Sequence, residues 1–83
     1  MEQIRVIYHK NNENVSEEAK RFFIASEDPL YIGIIASPSE PIWNHLSTTK
    51  TAVLEINGRA AEYSIPYRIE VGRNSIFFLR PAS

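Results

Sequence analysis

The stretch TAVLEINGRAAEYSIPYRIEVGRNSIFFLRP, residues 51–81, decides how the C-terminal half of the chain folds. Its Asn57-Gly58 pair predicts a two-residue hairpin turn, because both residues tolerate the positive φ angles of a type I′ turn. The turn sets the register of the strands beside it, which pairs Leu54 with Ala61 and Ala52 with Tyr63. The register from the turn and the alternation of apolar side chains agree, as expected of a sequence that folds.

A second reversal, at Gly72-Arg73, adds a third strand and makes an antiparallel meander. It pairs Ile69 with Ile76 and Tyr67 with Phe78. Because Pro66 in the middle strand donates no ladder hydrogen bond, we expect a bend or bulge there. Phe77 and Phe78 are neighbours on the last strand, so their side chains point to opposite faces. Strict alternation along the middle strand places Tyr63, Tyr67, Ile69 and Val71 on one face and Arg68 and Glu70 on the other.

The N-terminal half predicts two strands, each followed by a helix. Residues 4–10 alternate as a strand does, and residues 30–36 are apolar on both sides, as in a strand buried on both faces. Residues 14–25 place Val15, Ala19, Phe22 and Phe23 on one helical face, behind a capping-box pattern that starts at Asn14. Ser37 as N-cap, with Pro38 after it, predicts a second, short helix through Leu46.

The predicted fold class is α+β, in the order β-α-β-α-β-β-β. It is a small two-layer domain with a mixed sheet of about five strands, two helices on one face and the C-terminal antiparallel meander. A chain of 83 residues is too short for two independent cores, so residues 1–83 are predicted to form a single domain.

Composition argues against several classes of protein. The net charge of −1 removes the broad basic character that favours nucleic-acid binding, and the absence of cysteine excludes disulfides and thiolate metal sites. No apolar run reaches the ~20 residues of a membrane helix, and the sequence shows no signal-peptide pattern. We therefore expect a cytoplasmic protein without a membrane partner.

The sequence contains no pattern that marks an enzyme. His9 and His45 are its only histidines, and neither has ligand spacing or a nucleophile beside it. The prediction is a non-enzyme with no catalytic, cofactor-binding or metal-binding residues.

Two sets of polar residues are candidate contacts for a ligand or a nucleic acid. Ser37 and Ser39 lie in the loop 36–41, where a small molecule or phosphate would meet a helix start, although helix capping explains both serines. Four arginines interleave with aromatic residues in the C-terminal ribbon, as on surfaces that bind single strands: Arg59, Arg68, Arg73 and Arg80. Glutamates on the same ribbon cancel much of that charge, which favours cross-strand ion pairs.

The strands that are apolar on both sides decide the function hypothesis. Two helices cover only one face of a sheet, so the other face is buried either by curling of the sheet or by another chain. The second reading predicts a non-catalytic interaction module that forms a homo-oligomer, most simply a dimer, or docks on a partner protein. It self-associates through a sheet face or the C-terminal strand, with a candidate interface of Ile76, Phe77, Phe78 and Leu79. The alternatives are a small nucleic-acid-binding regulator that uses the C-terminal ribbon and a small-molecule binder at the loop 36–41.

Overall fold

The computed structural model describes residues 2–82, which form one antiparallel sheet and one short helix. The elements are β1 (Ile4–Lys10), β2 (Glu13–Glu18), β3 (Phe22–Glu27), β4 (Leu30–Ala36), α1 (Pro41–Thr48), β5 (Thr51–Ile56), β6 (Arg59–Val71) and β7 (Asn74–Pro81). The sheet has seven strands in the order β2-β1-β5-β6-β7-β4-β3. The prediction of an α+β domain with a five-stranded mixed sheet and two helices is therefore wrong.

The error lies in residues 14–25, which form β2 and β3 and not a helix. Asn11 and Asn12 have φ angles of 52° and 64°, so they make a two-residue turn that pairs Lys10 with Glu13. Asparagine favours this left-handed geometry. The predicted helix required the same two asparagines to form a loop before the capping residue Asn14. The burial of β3 alternates strictly from Phe22 to Glu27, which is the period of a strand.

The predicted C-terminal meander is confirmed in its register. Leu54 pairs with Ala61, Ala52 with Tyr63, Ile69 with Ile76, and Tyr67 with Phe78. Asn57 and Gly58 have φ angles of 50° and 87°, as a type I′ turn requires. The irregularity expected at Pro66 is also confirmed, because the β6–β7 register shifts between Ser64 and Tyr67.

That irregularity corrects the prediction of which face each β6 side chain takes. A bulge inserts a residue and so reverses the alternation beyond it. Tyr63, before the bulge, is buried, whereas Tyr67 after it pairs with outward-facing Phe78. Arg68 pairs with buried Phe77 and therefore faces the inside of the sheet, opposite to the predicted side.

The sheet curls so that one short segment bridges β1 and β4, the neighbours of its two edge strands. Three residues, 19–21, join β2 to β3, and they bond to strands at both ends of the sheet. The Ala19 N–H donates to the Ile4 carbonyl of β1 at 2.9 Å, and the Arg21 carbonyl accepts from the Ile35 N–H of β4 at 2.9 Å. The inner face thus becomes the core of a partly open barrel.

Helix α1 packs on the core through Ile42 and Leu46. It begins at Pro41 and not after Ser37 as predicted, because Glu40 precedes a proline and is held extended, with φ −91° and ψ 135°. Within residues 2–82, no helix is long and apolar enough to cross a membrane.

Candidate functional site

The outer surface of the sheet divides into two unlike parts. On β1, β2 and β5, the outward Arg5 lies opposite Glu18 and Glu55, and its guanidinium donates to Ser16 Oγ at 2.7 Å. On β3, β4, β7 and the second half of β6, most outward side chains are apolar, and Arg80 is the one charged side chain among them. We call this second part the aromatic face; it consists of Phe23, Tyr31, Ile35, Tyr67, Ile69, Val71, Ile76 and Phe78.

Phe78 is the centre of the aromatic face. Its ring lies 6.0 Å from that of Phe23, 6.1 Å from that of Tyr31 and 5.7 Å from that of Tyr67, measured between centroids. The first two contacts are edge-to-face, a preferred geometry for aromatic pairs. Phe23 is 37% exposed, Tyr67 58% and Val71 53%, so these side chains leave much of their surface accessible to solvent or to a partner.

Gly33 shapes this face, because Phe23 lies over it. The two residues are paired across β3 and β4, and a Cβ atom at position 33 would collide with the Phe23 ring. A strand glycine often marks such a close approach. The Phe23 ring can therefore lie down on the sheet and reach Phe78.

The edges of the sheet are less suited to pairing than its face. β2 carries Glu13, Glu17 and Glu18, and charged residues discourage an edge strand from adding another chain. β3 is irregular between Ile24 and Ser26, which interrupts its edge. β7 lies between β6 and β4 and is paired on both sides, so it offers no edge for a partner strand.

The four residues of the predicted interface separate into two pairs. Phe77 and Leu79 are 0% exposed and belong to the core, so they do not line a surface. Ile76 and Phe78 point outward and lie in the aromatic face.

The four predicted arginine contacts do not share a surface. Arg59 and Arg73 are exposed beside turns at opposite ends of β6, while Arg80 is exposed on the outer side of β7. Arg68 is exposed on the opposite face of the sheet, the side that carries α1, where its guanidinium carbon lies 5.3 Å from the centre of the Trp43 ring and 5.3 Å from that of the Phe77 ring. A continuous basic track is therefore absent from these strands.

Arg68 belongs to a hydrogen-bonded network that holds α1 against β6 and β7. Its Nε donates to Glu70 at 2.8 Å, Glu70 accepts from the Ser75 hydroxyl, and Ser75 Oγ accepts from Trp43 Nε1 at 2.9 Å. The hydrogen bond from Arg68 lowers the pKa of Glu70, with a smaller contribution from Ser75. The network satisfies its own polar groups and is structural.

Ser37 and Ser39 are engaged with each other and with the loop. Their hydroxyl oxygens lie 2.9 Å apart, and the Ser37 N–H donates to the Glu40 carboxylate. Burial of the described histidines differs: His9 is exposed, whereas His45 is partly buried and stacks on Tyr8. Among residues 2–82, no group of three or more potential ligands is placed to hold a metal ion.

Comparison with known proteins adds information on the fold. No family model matches the chain, and no curated protein matches it. Among solved structures, it is similar to one described as flavin reductase PheA2 in its native state, with a TM-score of 0.72 over 100% of this chain and 78% of that chain. The sequence identity is 8%, so the likeness establishes the fold alone.

Sequence reasoning missed Phe23, Tyr31 and Tyr67 as members of one surface. Phe23 belongs to the segment that the sequence predicts as a helix, whereas it lies in β3. The bulge at Pro66 places Tyr67 on the outer face of the sheet. Residues 22–27, FFIASE, do not alternate apolar with polar side chains, so the Asn11-Asn12 pair is the signal that favours a hairpin here.

Proposed function

We propose that this chain is a non-catalytic interaction module that self-associates through its aromatic face. The observation that carries the proposal is the contact of three aromatic rings with Phe78 on an exposed surface, with Tyr67 58% exposed. Large contiguous apolar patches on soluble domains mark docking sites, and tyrosine and phenylalanine are enriched in the centres of interfaces.

A second copy of the chain fits this face by charge. Arg80 is the one charged side chain that the described strands β3, β4, β7 and the β6 segment 67–71 place on its outer side. A nearly uncharged surface is complementary to another nearly uncharged surface, because no charge is then buried without a partner. A second aromatic face meets this condition and brings little repulsion between like charges. An isologous pair of this kind has two-fold symmetry, the commonest arrangement of homo-oligomers.

The size of the face predicts a weak dimer. Four strands at ~4.8 Å spacing and five residues at ~3.3 Å rise outline roughly 300 Å² per protomer. A standard stable interface buries ~800 Å² per partner, and smaller ones belong to weak and transient complexes. We therefore expect a dissociation constant between roughly 1 µM and 1 mM.

The same surface disfavours the nucleic-acid alternative. Binding to a phosphate backbone needs several cations along one track, whereas Arg80 is the one charged side chain that the strands of the aromatic face turn outward. Flavin reduction is not carried over from the similar structure, because a likeness at 8% identity extends to the fold alone.

Single cysteines test the proposal directly, since the natural chain has none. Tyr67→Cys places a thiol on the aromatic face, and Glu62→Cys places one on β6 opposite Val53, outside that face; both residues are exposed. With a bifunctional maleimide, Tyr67→Cys should give a covalent dimer much faster than Glu62→Cys, in proportion to protein concentration. Equal rates for the two variants would contradict association through the aromatic face.

A further inference from the structure

A depression between the end of β1 and α1 lies away from the aromatic face. It has a volume of about 330 Å³, within the range of small-molecule sites. One wall comes from β1, with Tyr8, His9 and Lys10, and the other from the helix and the loop before it, with Ser39, Asn44 and His45 among its residues.

His45 is the central group of this depression. Its imidazole stacks on the Tyr8 ring, with centroids 4.4 Å apart and an angle of 12° between the planes. No hydrogen bond to its ring nitrogens occurs within residues 2–82, and the ring also lines a second depression beside Val53 and Glu62. Burial lowers the pKa of His45, so the ring is neutral near pH 7. It faces the depression as an uncommitted donor or acceptor.

The carboxylates near His45 are already engaged. Glu40 accepts from Arg21 at 2.9 Å and from the Ser37 N–H, and the Ser37 hydrogen bond is the main reason that its pKa is lowered. Glu17 accepts from the Tyr8 hydroxyl at 2.8 Å. Burial and this hydrogen bond raise the pKa of Tyr8 to about 12, so the hydroxyl remains a donor to Glu17.

The remaining groups of the depression are cationic or neutral. Lys10 and His9 make no ion pair within residues 2–82, and Asn44 accepts side-chain bonds only through its backbone carbonyl. We propose that the depression binds a small oxyanion, a phosphate or carboxylate group, held by Lys10 and His45 with Asn44 at its side. An ammonium, an imidazole and an amide are donors that such an anion needs.

Binding should strengthen as the pH falls. An anion beside His45 favours the imidazolium, so proton uptake and anion uptake assist each other below the pKa of the free ring. The other charged groups that face His45 are His9 and Lys10 from β1, Glu17 from β2, Glu40 from the loop and Glu62 from β6. Glu40 is paired with Arg21, whereas Glu17, which is hydrogen-bonded to the neutral Tyr8, and Glu62 keep a negative charge that opposes binding of the anion.

Proton NMR of the wild-type protein tests the site, because the chain has two histidines and so two imidazole C2–H resonances. His9→Gln and His45→Gln assign them. Inorganic phosphate and acetate are titrated separately against sodium chloride of equal ionic strength, which distinguishes a phosphate site from a carboxylate site. We expect a saturable shift of the His45 resonance and a His45 pKa that rises with phosphate or acetate but not with chloride.

Lys10→Gln and Lys20→Gln are the matched variants. Both lysines are exposed, but Lys20 lies outside the depression. Lys10→Gln should weaken anion binding at least about threefold, as loss of one exposed charge contact does, while Lys20→Gln should leave it unchanged. Shifts that do not saturate, that equal those with chloride, or that saturate with the same affinity in Lys10→Gln as in the wild type would overturn the proposal.

Discussion

Phe77 and Phe78 offer the sharpest test of the fold and of the aromatic face together. The two rings have the same size and are adjacent in sequence, but Phe77 is 0% exposed in the core and Phe78 lies outward. Replacing each with serine in turn therefore makes one chemical change in two environments. We expect Phe77→Ser to unfold the chain and Phe78→Ser to leave it folded but dissociate the dimer.

The magnitudes follow from the burial of each ring. Truncating a buried phenylalanine costs about 3–5 kcal/mol, and an unpaired buried hydroxyl adds about 1–3 kcal/mol. At about 0.05–0.15 kcal/mol per residue, a chain of 83 residues has a stability of about 4–12 kcal/mol, so Phe77→Ser removes much or all of it. Phe78 is already partly covered, so we assign it ~1 kcal/mol of additional burial per copy in the dimer. Two copies then weaken association roughly 30-fold.

Circular dichroism during thermal unfolding and sedimentation equilibrium measure the two effects separately. Phe77→Ser should lose its cooperative transition or melt at a much lower temperature, whereas Phe78→Ser should keep a native spectrum and sediment as a monomer. If both variants unfold alike, or if Phe78→Ser associates as strongly as the wild type, the assignment of the two rings is refuted.

Three further predictions concern single positions. Gly58→Val should lower the free energy of unfolding by more than ~1 kcal/mol, because φ at this position is 87°; an unchanged melting temperature would contradict the tight turn. Gly33→Ala should displace Phe23 and weaken association while the chain stays folded, which sedimentation can detect against the wild type. Because burial lowers the pKa of His45 below its unfolded value, the unfolded chain binds the proton more readily, and stability should fall as the pH drops below about 6.5. Urea unfolding of His45→Gln at the same pH values should show a smaller loss, and an identical pH dependence would exclude His45 as its cause.

The fold could be predicted where a distinctive turn and the side-chain pattern of the strands beside it lie close together in sequence and agree. The turn at Asn57-Gly58 and the β5–β6 and β6–β7 registers could be derived from such signals. Residues 14–25 could not, because their apolar positions fit a helical face as well as a strand. The Asn11-Asn12 turn, which selects the strand, is less distinctive than Asn-Gly.

The candidate site depended on long-range pairing that local patterns do not contain. The opposite orientations of Phe77 and Phe78 followed from adjacency on a strand. That Phe23, Tyr31 and Tyr67 surround Phe78 depends on the strand order β6-β7-β4-β3, which brings together residues up to 55 positions apart, from 23 to 78. The sequence predicts the bulge at Pro66. Strict alternation along β6 nevertheless assigns Tyr67 to the face of Tyr63, whereas the bulge turns Tyr67 to the outer face.

The solution mass of the wild-type chain, measured by light scattering across concentration, tests the central claim most directly. Self-association through the aromatic face predicts a mass that rises from the 9.5 kDa of one chain towards twice that value as the concentration increases. At roughly 1 mM, the upper end of the estimated range of the dissociation constant, at least about half of the chains should be in dimers. If the mass remains that of one chain at protein concentrations of roughly hundreds of micromolar, self-association through the aromatic face is contradicted.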